Sequence, residues 1–296
     1  MNISKIEWTP YKLIFPQPPN SQSDRNVQPG VYAMVSFDDG LVTRSCLQSW
    51  PGLGDPSLEQ CLQDLKARDR KNPLVDKTLY WAELARDVDV SQELAAAHSF
   101  IENSHRLVFS ETEPTVLNGQ QKLKMKVGLN MDKEIAQLKQ WHELNPNIQL
   151  RLDFNGKMNL GDFEYWFKDM GCLAENIEFI EDPMDYDYDL WMTLKKKYSV
   201  ALALDIQAQE LILANEIGSD AVDVVCCKPA RNRLELMANW CVQHNKKLLF
   251  THYMDSPLGQ AFAIYEARRF LQSYPQLGME NGLAPHMGLL EAETPQ

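Results

Sequence analysis

Apolar runs alternate with helix-like stretches along the chain from about residue 104 onward. The runs are short and dominated by large apolar side chains, as expected for buried strands. They lie at residues 105–110, 122–129, 147–154, 177–183, 200–205, 221–229 and 247–254. Between them, residues 132–144, 187–198 and 234–244 show the three- and four-residue spacing of amphipathic helices. Strands that alternate with helices in this way form a parallel sheet.

The number of strand–helix units decides between an open sheet and a closed one. Seven units of about 25 residues each are more than an open parallel sheet usually contains. We therefore predict an α/β fold, a (β/α)7β TIM-like barrel, over residues 104–296. No low-complexity tract or linker interrupts this part of the chain.

The first 103 residues follow a different pattern, in which two strand-like runs flank a long segment rich in proline, serine and asparagine at about residues 16–29. The predicted elements are strands at residues 11–15 and 31–37 and a helix from Leu58 to about Arg70, which Asp55 or Ser57 caps. We expect residues 1–103 to form an N-terminal α+β capping domain. Long loops are often functional, so we expect residues 16–29 to close over a site.

Composition and charge narrow the classes of function. Hydrophobic residues make up 44% and charged residues 24%, which is typical of a globular protein with a sizeable core. The formal net charge is −12, and the chain has no extended segment rich in lysine and arginine. We therefore expect no nucleic-acid partner and no anionic membrane partner. Without a secretory pattern or a long apolar span, we expect a cytoplasmic protein.

Polar residues stand at the carboxyl end of five successive apolar runs, about 25 residues apart, which is one β/α unit. They are Lys126, Asp153, Glu181, Asp205 and Lys228. The two-residue period of a strand also places Lys124 on the face of Lys126, and Arg151 on the face of Asp153. Because barrel enzymes carry their chemistry at this end of the strands, these residues are candidates for an active site.

Three of these side chains are carboxylates on consecutive strands, with a lysine on either side. Three carboxylates at one rim repel one another unless a cation lies between them. Oxygen ligands suit a hard ion, and an ion with positions open for substrate oxygens indicates Mg²⁺. A single strand-end acid is more often a helix cap or a solvated loop residue. The common repeat length and the common end of the strands favour the site.

The other polar residues show no comparable pattern. We expect Asp185, Asp187 and Asp189 to form a solvated face, and Asp182 is ambiguous. The histidines His98, His105, His142 and His244 have no partner pattern and are predicted to be structural. The six cysteines lack metal-ligand spacing and are predicted to be reduced thiols of the core.

The strand-end residues resemble those of the enolase superfamily, in its muconate-lactonizing-enzyme subgroup. The resemblance is carried by the K-x-K pair of Lys124 and Lys126, Asp153 in RLDFN, Glu181 before an acid–proline turn, Asp205, and Lys228 before a proline. Within the subgroup, KMKVGL and RLDFNGKM are most similar to the o-succinylbenzoate synthase family of menaquinone biosynthesis. The segments SWPGLGDPS and ENGLAPH also resemble parts of that family.

The resemblance implies a Mg²⁺-dependent lyase, with Mn²⁺ as a substitute ion, that acts on a small-molecule carboxylate. The implied reaction is syn elimination of water from 2-succinyl-6-hydroxy-2,4-cyclohexadiene-1-carboxylate through an enediolate. Asp153, Glu181 and Asp205 are the implied metal ligands.

The resemblance also implies roles for the basic residues. Lys126 is the implied base, and a lysine base beside Mg²⁺ is typical of such sites. Lys124 and the metal are expected to lower the pKa of Lys126, while Arg151 orients Lys126 or balances the carboxylates. Lys228 is expected to act as a cation near the ring. The implied substrate-binding residues are Asn155, Thr251, Ser256 and Gly259.

The sequence departs from the family pattern at several points. Asp205 is followed by Ile206 rather than by the usual glutamate, so a supporting contact is lost or replaced. Thr251, His252 and Tyr253 stand where the family has a serine-rich strand end. A Gly-Glu pair is missing from the N-terminal part, and the chain is short.

Several functions stay open at this point. The same lysines and acids serve an N-succinylamino acid racemase or a dipeptide epimerase, in which both lysines act on one carbon. From different classes, a metal-independent Schiff-base lyase and a non-catalytic barrel are alternatives. The oligomeric state cannot be read from the sequence.

Overall fold

The N-terminal part of the chain folds as a three-stranded antiparallel sheet in the order β1-β2-β3. The computed structural model describes residues 2–15, 26–95, 97–102, 104–117, 122–279 and 281–283. The strands are β1 (Ile3–Ile14), β2 (Val27–Phe37) and β3 (Val42–Gln48), and the helices α1 (Leu58–Ala67) and α2 (Pro73–Leu84) follow. Apolar side chains on one face of the sheet pack against these two helices and form a small core. This agrees with the predicted α+β character of the N-terminal part.

The strands of this sheet extend beyond the predicted runs. β2 begins at Val27, so the loop predicted at residues 16–29 ends earlier than expected. Pro29 lies within the strand opposite Lys12, because the fixed φ of proline is compatible with extended backbone. Residues 16–25 lie outside the described residues, and so does most of the predicted closing loop.

The predicted helix after the turn cluster begins at Leu58 as expected but ends earlier, at Ala67. Arg68 adopts a left-handed conformation with φ of 58°, which ends the helix before Arg70. The Ser57 side chain accepts a hydrogen bond from the backbone N–H of Gln60 and caps the helix. α2, which the sequence pattern did not predict, completes the N-terminal core.

A second sheet of seven parallel strands has the order β10-β9-β8-β7-β6-β5-β4. The strands are β4 (Arg106–Val108), β5 (Lys122–Lys126), β6 (Gln149–Asp153), β7 (Ile177–Glu181), β8 (Leu202–Leu204), β9 (Val224–Cys227) and β10 (Lys247–Phe250). The helices are α3 (Val90–Ala95), α4 (His98–Glu102), α5 (Met131–Leu144), α6 (Leu160–Met170), α7 (Tyr188–Tyr198), α8 (Ala208–Ala214), α9 (Leu234–His244) and α10 (Pro257–Ser273). All seven predicted strand runs are therefore confirmed.

An irregular eighth segment at residues 281–283, which we call the closing segment, closes the barrel between β10 and β4. The backbone N–H of Gly282 donates to the carbonyl of Phe250 at 2.7 Å, which joins the segment to β10. On its other side, the N–H of His105 donates to the carbonyl of Asn281 at 2.9 Å, just before β4. Together with the seven strands, this segment confirms the predicted (β/α)7β barrel.

The capping part and the barrel meet where α2 lies against α10. The indole ring of Trp81 stacks on Phe262, with ring centroids 5.0 Å apart and an interplanar angle of 9°. Its Nε1–H donates to the buried carboxylate of Glu266 at 2.7 Å, and Lys77 pairs with the same carboxylate. This contact fixes the cap over the barrel. The predicted domain boundary between residues 103 and 104 stays a prediction.

The helices of the described residues give no evidence of membrane insertion. None of them has both the length and the apolar character needed to span a bilayer.

We expect Trp81→Ala to lower the free energy of unfolding by about 3–5 kcal/mol, because it removes a large buried ring and takes one of the hydrogen-bond donors from the buried carboxylate of Glu266. Urea unfolding followed by circular dichroism measures the loss. Tyr165→Ala is the control: this aromatic side chain of α6 is 57% exposed, and its loss should cost much less. Equal losses for the two variants would contradict the role of Trp81 in joining cap and barrel.

Candidate active site

The carboxyl ends of β5, β6 and β7 bring three of the predicted residues side by side. Lys126 lies opposite Asp153 in the parallel register of β5 and β6, and Asp153 lies opposite Glu181 in that of β6 and β7. Asp205 directly follows β8, and Lys228 directly follows β9. The five residues therefore stand in a row around one rim of the barrel, in the order in which they occur along the chain.

Lysine ammonium groups neutralise the acids of this rim. Nζ of Lys124 lies 2.6 and 2.7 Å from the two carboxylate oxygens of Glu181, and 3.0 Å from Oδ2 of Asp153. Nζ of Lys126 lies 3.7 Å from Oδ2 of Asp153. On the other flank, Nζ of Lys228 donates to Oδ1 of Asp205 at 2.6 Å. The two lysine strands thus lie on opposite sides of the three acids.

The crowded charges shift the pKa values of the acids in opposite directions. Burial and the negative charges of Asp153 and Asp205 together raise the pKa of Glu181 to about 7, against the opposing effect of Lys124. Burial also acts on Asp153, but Lys124 and Lys126 outweigh it and hold the pKa of that carboxyl at about 2. Repulsion by Asp153 and Asp205 thus adds to the effect of burial at Glu181.

The lysines on the two flanks also differ from each other. Burial lowers the pKa of Lys126 below its usual value, and the cations Lys124 and Lys228 lower it further against the opposing effect of Asp153. Burial alone would lower the pKa of Lys228 as well, but the carboxylate of Asp205 raises it overall. Lys126 is therefore biased toward the neutral amine, and Lys228 toward the ammonium form.

Asp182 supports the rim from behind. Its backbone adopts a left-handed conformation with φ of 42° directly after Glu181. The carboxylate accepts the backbone N–H of Asp205 at 3.0 Å and that of Ile206 at 2.8 Å. These bonds fix the turn that carries Asp205 and Ile206.

A cavity of about 460 Å³ opens at this rim. Its lining includes Lys124, Lys126, Asp153, Asp205 and Lys228 from the barrel, and Trp50, Gly52, Leu53 and Gly54 from the turn that follows β3. We call residues 50–54 the cap loop. The cavity is therefore shared between the two parts of the chain.

The four predicted substrate-binding residues fall into two pairs. Asn155 and Thr251 line the cavity. Asn155 also holds the rim, since its Nδ2 donates to Oδ1 of Asp153 at 2.8 Å and its Oδ1 lies 3.4 Å from Nζ of Lys126. Ser256 and Gly259 start α10, where the serine hydroxyl accepts the glycine N–H, and both lie outside the cavity lining. Their role in substrate binding stays a prediction.

Two further side chains, Arg151 and His105, lie in surroundings that the sequence pattern did not predict. Arg151 is fully buried outside the cavity lining, where its Nε donates to Glu178 at 2.6 Å and its Nη1 lies 2.8 Å from Nδ1 of His105. His105, which the sequence pattern groups with structural histidines, lines the cavity. It has no partner within its own segment of sequence, so only the tertiary structure reveals its position.

The cap loop is tied to the barrel by a second charged cluster, which we call the Asp55 network. The buried carboxylate of Asp55 pairs with Nη2 of Arg231 at 3.1 Å and accepts the hydroxyl of Tyr253. Nη1 of Arg231 donates to that hydroxyl at 2.9 Å, and Nη2 donates to the carbonyl of Leu53 at 3.2 Å. The network holds the cap loop against the loops that follow β9 and β10. Sequence reasoning missed Arg231 and considered Asp55 only as a helix cap.

The donor set at the rim suits a hard divalent ion. Within the described ranges, no three Asp, Glu, His or Cys side chains are already grouped as metal ligands, because lysines lie between the acids. Even so, Asp153, Glu181 and Asp205 offer only carboxylate oxygens from three consecutive strands. Their mutual repulsion, visible in the raised pKa of Glu181, is what a bound cation relieves.

Comparisons with known proteins agree with this geometry. Residues 6–88 match the family model described as O-succinylbenzoate synthase, N-terminal domain, and residues 110–267 match Enolase C-terminal domain-like. A curated o-succinylbenzoate synthase from Bdellovibrio bacteriovorus is 30% identical over 294 residues, which cover 95% of this chain and 86% of that protein.

Solved structures share the fold at low sequence identity. An o-succinylbenzoate synthase from Thermosynechococcus elongatus, complexed with Mg in its active site, has a TM-score of 0.62 at 18% identity and covers 97% of each chain. A dipeptide epimerase from Enterococcus faecalis, complexed with Mg and L-Leu-L-Tyr, has a TM-score of 0.66 at 14% identity over 96% of this chain and 90% of that one.

The barrel, its cap and the row of acids and lysines thus define an enzyme of the enolase superfamily, and the predicted lyase class is confirmed. The match of residues 6–88 and the curated relative identify the family within this superfamily. The chain belongs to the o-succinylbenzoate synthase family.

We expect a double-mutant cycle with Asp55→Ala and Arg231→Ala to give a coupling free energy of about 1–3 kcal/mol, because the pair is largely desolvated and tied to Tyr253. Urea unfolding of the four proteins measures it. The exposed pair of Arg70 and Asp76, 2.9 Å apart, is the control and should couple by less than about 1 kcal/mol. Additive losses at Asp55 and Arg231 would contradict the network.

Proposed function

We propose that the chain catalyses the o-succinylbenzoate synthase reaction, the elimination of water from 2-succinyl-6-hydroxy-2,4-cyclohexadiene-1-carboxylate in menaquinone biosynthesis. The observation that carries the proposal is the register of the rim, where Lys126, Asp153 and Glu181 lie opposite one another on adjacent strands. Family membership supplies the substrate class. A cytoplasmic location and the absence of nucleic-acid or membrane partners stay predictions.

We assign the metal site to Asp153, Glu181 and Asp205, with Mg²⁺ as the ion and Mn²⁺ as a substitute. When bound, the ion would neutralise the negative charge that the substrate carboxylate gains as the α-proton leaves. Lys124, which pairs with Asp153 and Glu181, offsets part of the negative charge of the rim and holds the two acids in place. Asp182 keeps the turn at Asp205 fixed.

In this proposal, Nζ of Lys126 is the base that removes the α-proton of the substrate. Its burial and its cationic neighbours favour the neutral amine, which is the form that accepts a proton. As the C–H bond breaks, its electron pair is delocalised into the substrate carboxylate; the pair then forms the new ring double bond as the C–O bond to the β-hydroxyl breaks. The proton on Lys126 then passes to the departing hydroxyl, which leaves as water. One base therefore serves both proton transfers.

Lys228 has a different proposed role, as a cation beside the substrate ring. The carboxylate of Asp205 holds it in the charged form, and its Nζ lies 5.9 Å from the centroid of the Tyr253 ring. From the flank opposite Lys126, it would stabilise negative charge on the substrate. Asn155 and Thr251 are the proposed substrate contacts that line the cavity.

The function is tested in D₂O with Mg²⁺ and, separately, the cyclohexadiene carboxylate or N-succinyl amino acids. We expect formation of the aromatic product, followed by absorbance and NMR. Lys126→Ala should lower kcat by at least about 10²-fold, since it removes the general base. Lys133→Ala, at an exposed lysine of α5, is the matched control and should leave the rate unchanged.

Two outcomes would contradict the proposal. Deuterium exchange at the α-carbon of N-succinyl amino acids without any aromatisation would favour a racemase or epimerase. Elimination that survives chelation by EDTA, or a substrate adduct trapped by borohydride, would favour the Schiff-base alternative.

We expect Asp153→Asn, Glu181→Gln and Asp205→Asn each to weaken Mg²⁺ binding at least about tenfold, because each replaces an anionic ligand by a neutral one. Isothermal titration calorimetry measures the affinity directly. Asp185→Asn is the control, since this exposed acid lines the same cavity outside the assigned set. Unchanged affinity in one of the three variants would remove that residue from the site.

A further inference from the structure

His105 occupies a position in the cavity that the assigned chemistry does not use. It directly precedes β4, and its backbone N–H joins the closing segment at Asn281. The side chain is almost fully buried, yet it lines the cavity together with Lys124 and Lys126. What this imidazole can donate or accept depends on which of its ring nitrogens carries the proton.

The contact with Arg151 determines the tautomer. Nη1 of Arg151 lies 2.8 Å from Nδ1 of His105, and a guanidinium group can only donate. Nδ1 must therefore accept, which leaves the single proton of the neutral ring on Nε2. Arg151 cannot turn away easily, because it is fully buried and its Nε donates to Glu178 at 2.6 Å. Burial, then the cations Arg151, Lys124 and Lys122, lower the pKa of His105 well below its usual value.

The space around the ring is provided by the closing segment. A Cβ atom at Gly282 would lie 2.4 Å from Cε1 and 2.7 Å from Nε2 of His105, so only glycine leaves room for the imidazole. Nδ1 of the ring is hydrogen-bonded to Arg151, whereas Nε2 has no hydrogen-bond partner among the described residues. Nε2–H is therefore a neutral donor, held in place from the far side of the ring and available to a ligand in the cavity.

We propose that His105 is a substrate-binding residue whose Nε2–H donates a hydrogen bond to an acceptor oxygen of the bound carboxylate substrate, with Arg151 as the residue that positions the ring. The inference rests on the proposed function for the identity of that substrate. Since the ring stays neutral, it contributes binding and orientation and takes no part in the proton transfers of Lys126.

A matched pair of variants tests the donor. His105→Asn keeps an acceptor near the position of Nδ1 and so keeps the bond from Arg151, but it lacks a donor at the position of Nε2. His105→Gln places an amide N–H near the position of Nε2. We expect KM for the cyclohexadiene carboxylate to rise about tenfold or more in His105→Asn, with a smaller change in kcat, and to recover in His105→Gln. A purely structural role predicts the reverse order.

A measurement on the unaltered protein keeps the inference independent of folding defects in the variants. In ¹⁵N NMR of histidine-labelled protein, the His105 ring should be protonated at Nε2 and unprotonated at Nδ1 between pH 6 and 8, and 2-succinylbenzoate should shift the Nε2 signal. A ring protonated at Nδ1, or an Nε2 signal that the product leaves unchanged, would overturn the inference. If the wild-type protein is active, an unaltered KM in His105→Asn would also overturn the inference. An inactive wild-type protein would instead overturn the proposed function.

Discussion

Repulsion among carboxylates at the barrel rim is the constraint on which the rest of the site depends. Asp153, Glu181 and Asp205 end three consecutive parallel strands, and parallel register leaves them no freedom to move apart. Burial strengthens their repulsion, since little water remains to screen it. The arrangement is stable only with positive charge close by. In the protein alone, Lys124 and Lys228 provide that charge.

The same constraint gives the two lysine strands different chemistry. Burial lowers the pKa of Lys126, two nearby cations lower it further, and the contact with Asp153 is too distant to offset them. Lys228 has a carboxylate of its own and stays charged. A base and a cation thus arise from the same residue type, because Lys228 donates directly to a carboxylate and Lys126 lies 3.7 Å from its nearest one. This asymmetry is suited to an elimination that needs one base, rather than to a reaction that exchanges a proton between two lysines.

The cavity is completed by contacts that tie the cap to the barrel at two places. Trp81 and Glu266 join α2 to α10 at the outer side, while the Asp55 network holds the cap loop over the rim. Both contacts bury a charged group together with its partners, which gives them directionality that apolar packing alone lacks. The cap loop, which lines the cavity, therefore depends for its position on Arg231 and Tyr253 of the barrel.

The sequence by itself determined the barrel and the residues of its rim, because strand and helix periods repeat regularly and the carboxyl ends of parallel strands must meet at one edge. It did not reveal α2, or that β2 begins at Val27, since local propensity there is weak compared with packing against the sheet. The Asp55 network and the position of His105 were decided only by the tertiary structure. Their members are far apart in the chain, and the pairing of Asp55 with Arg231 or of His105 with Arg151 leaves no periodic trace in the sequence.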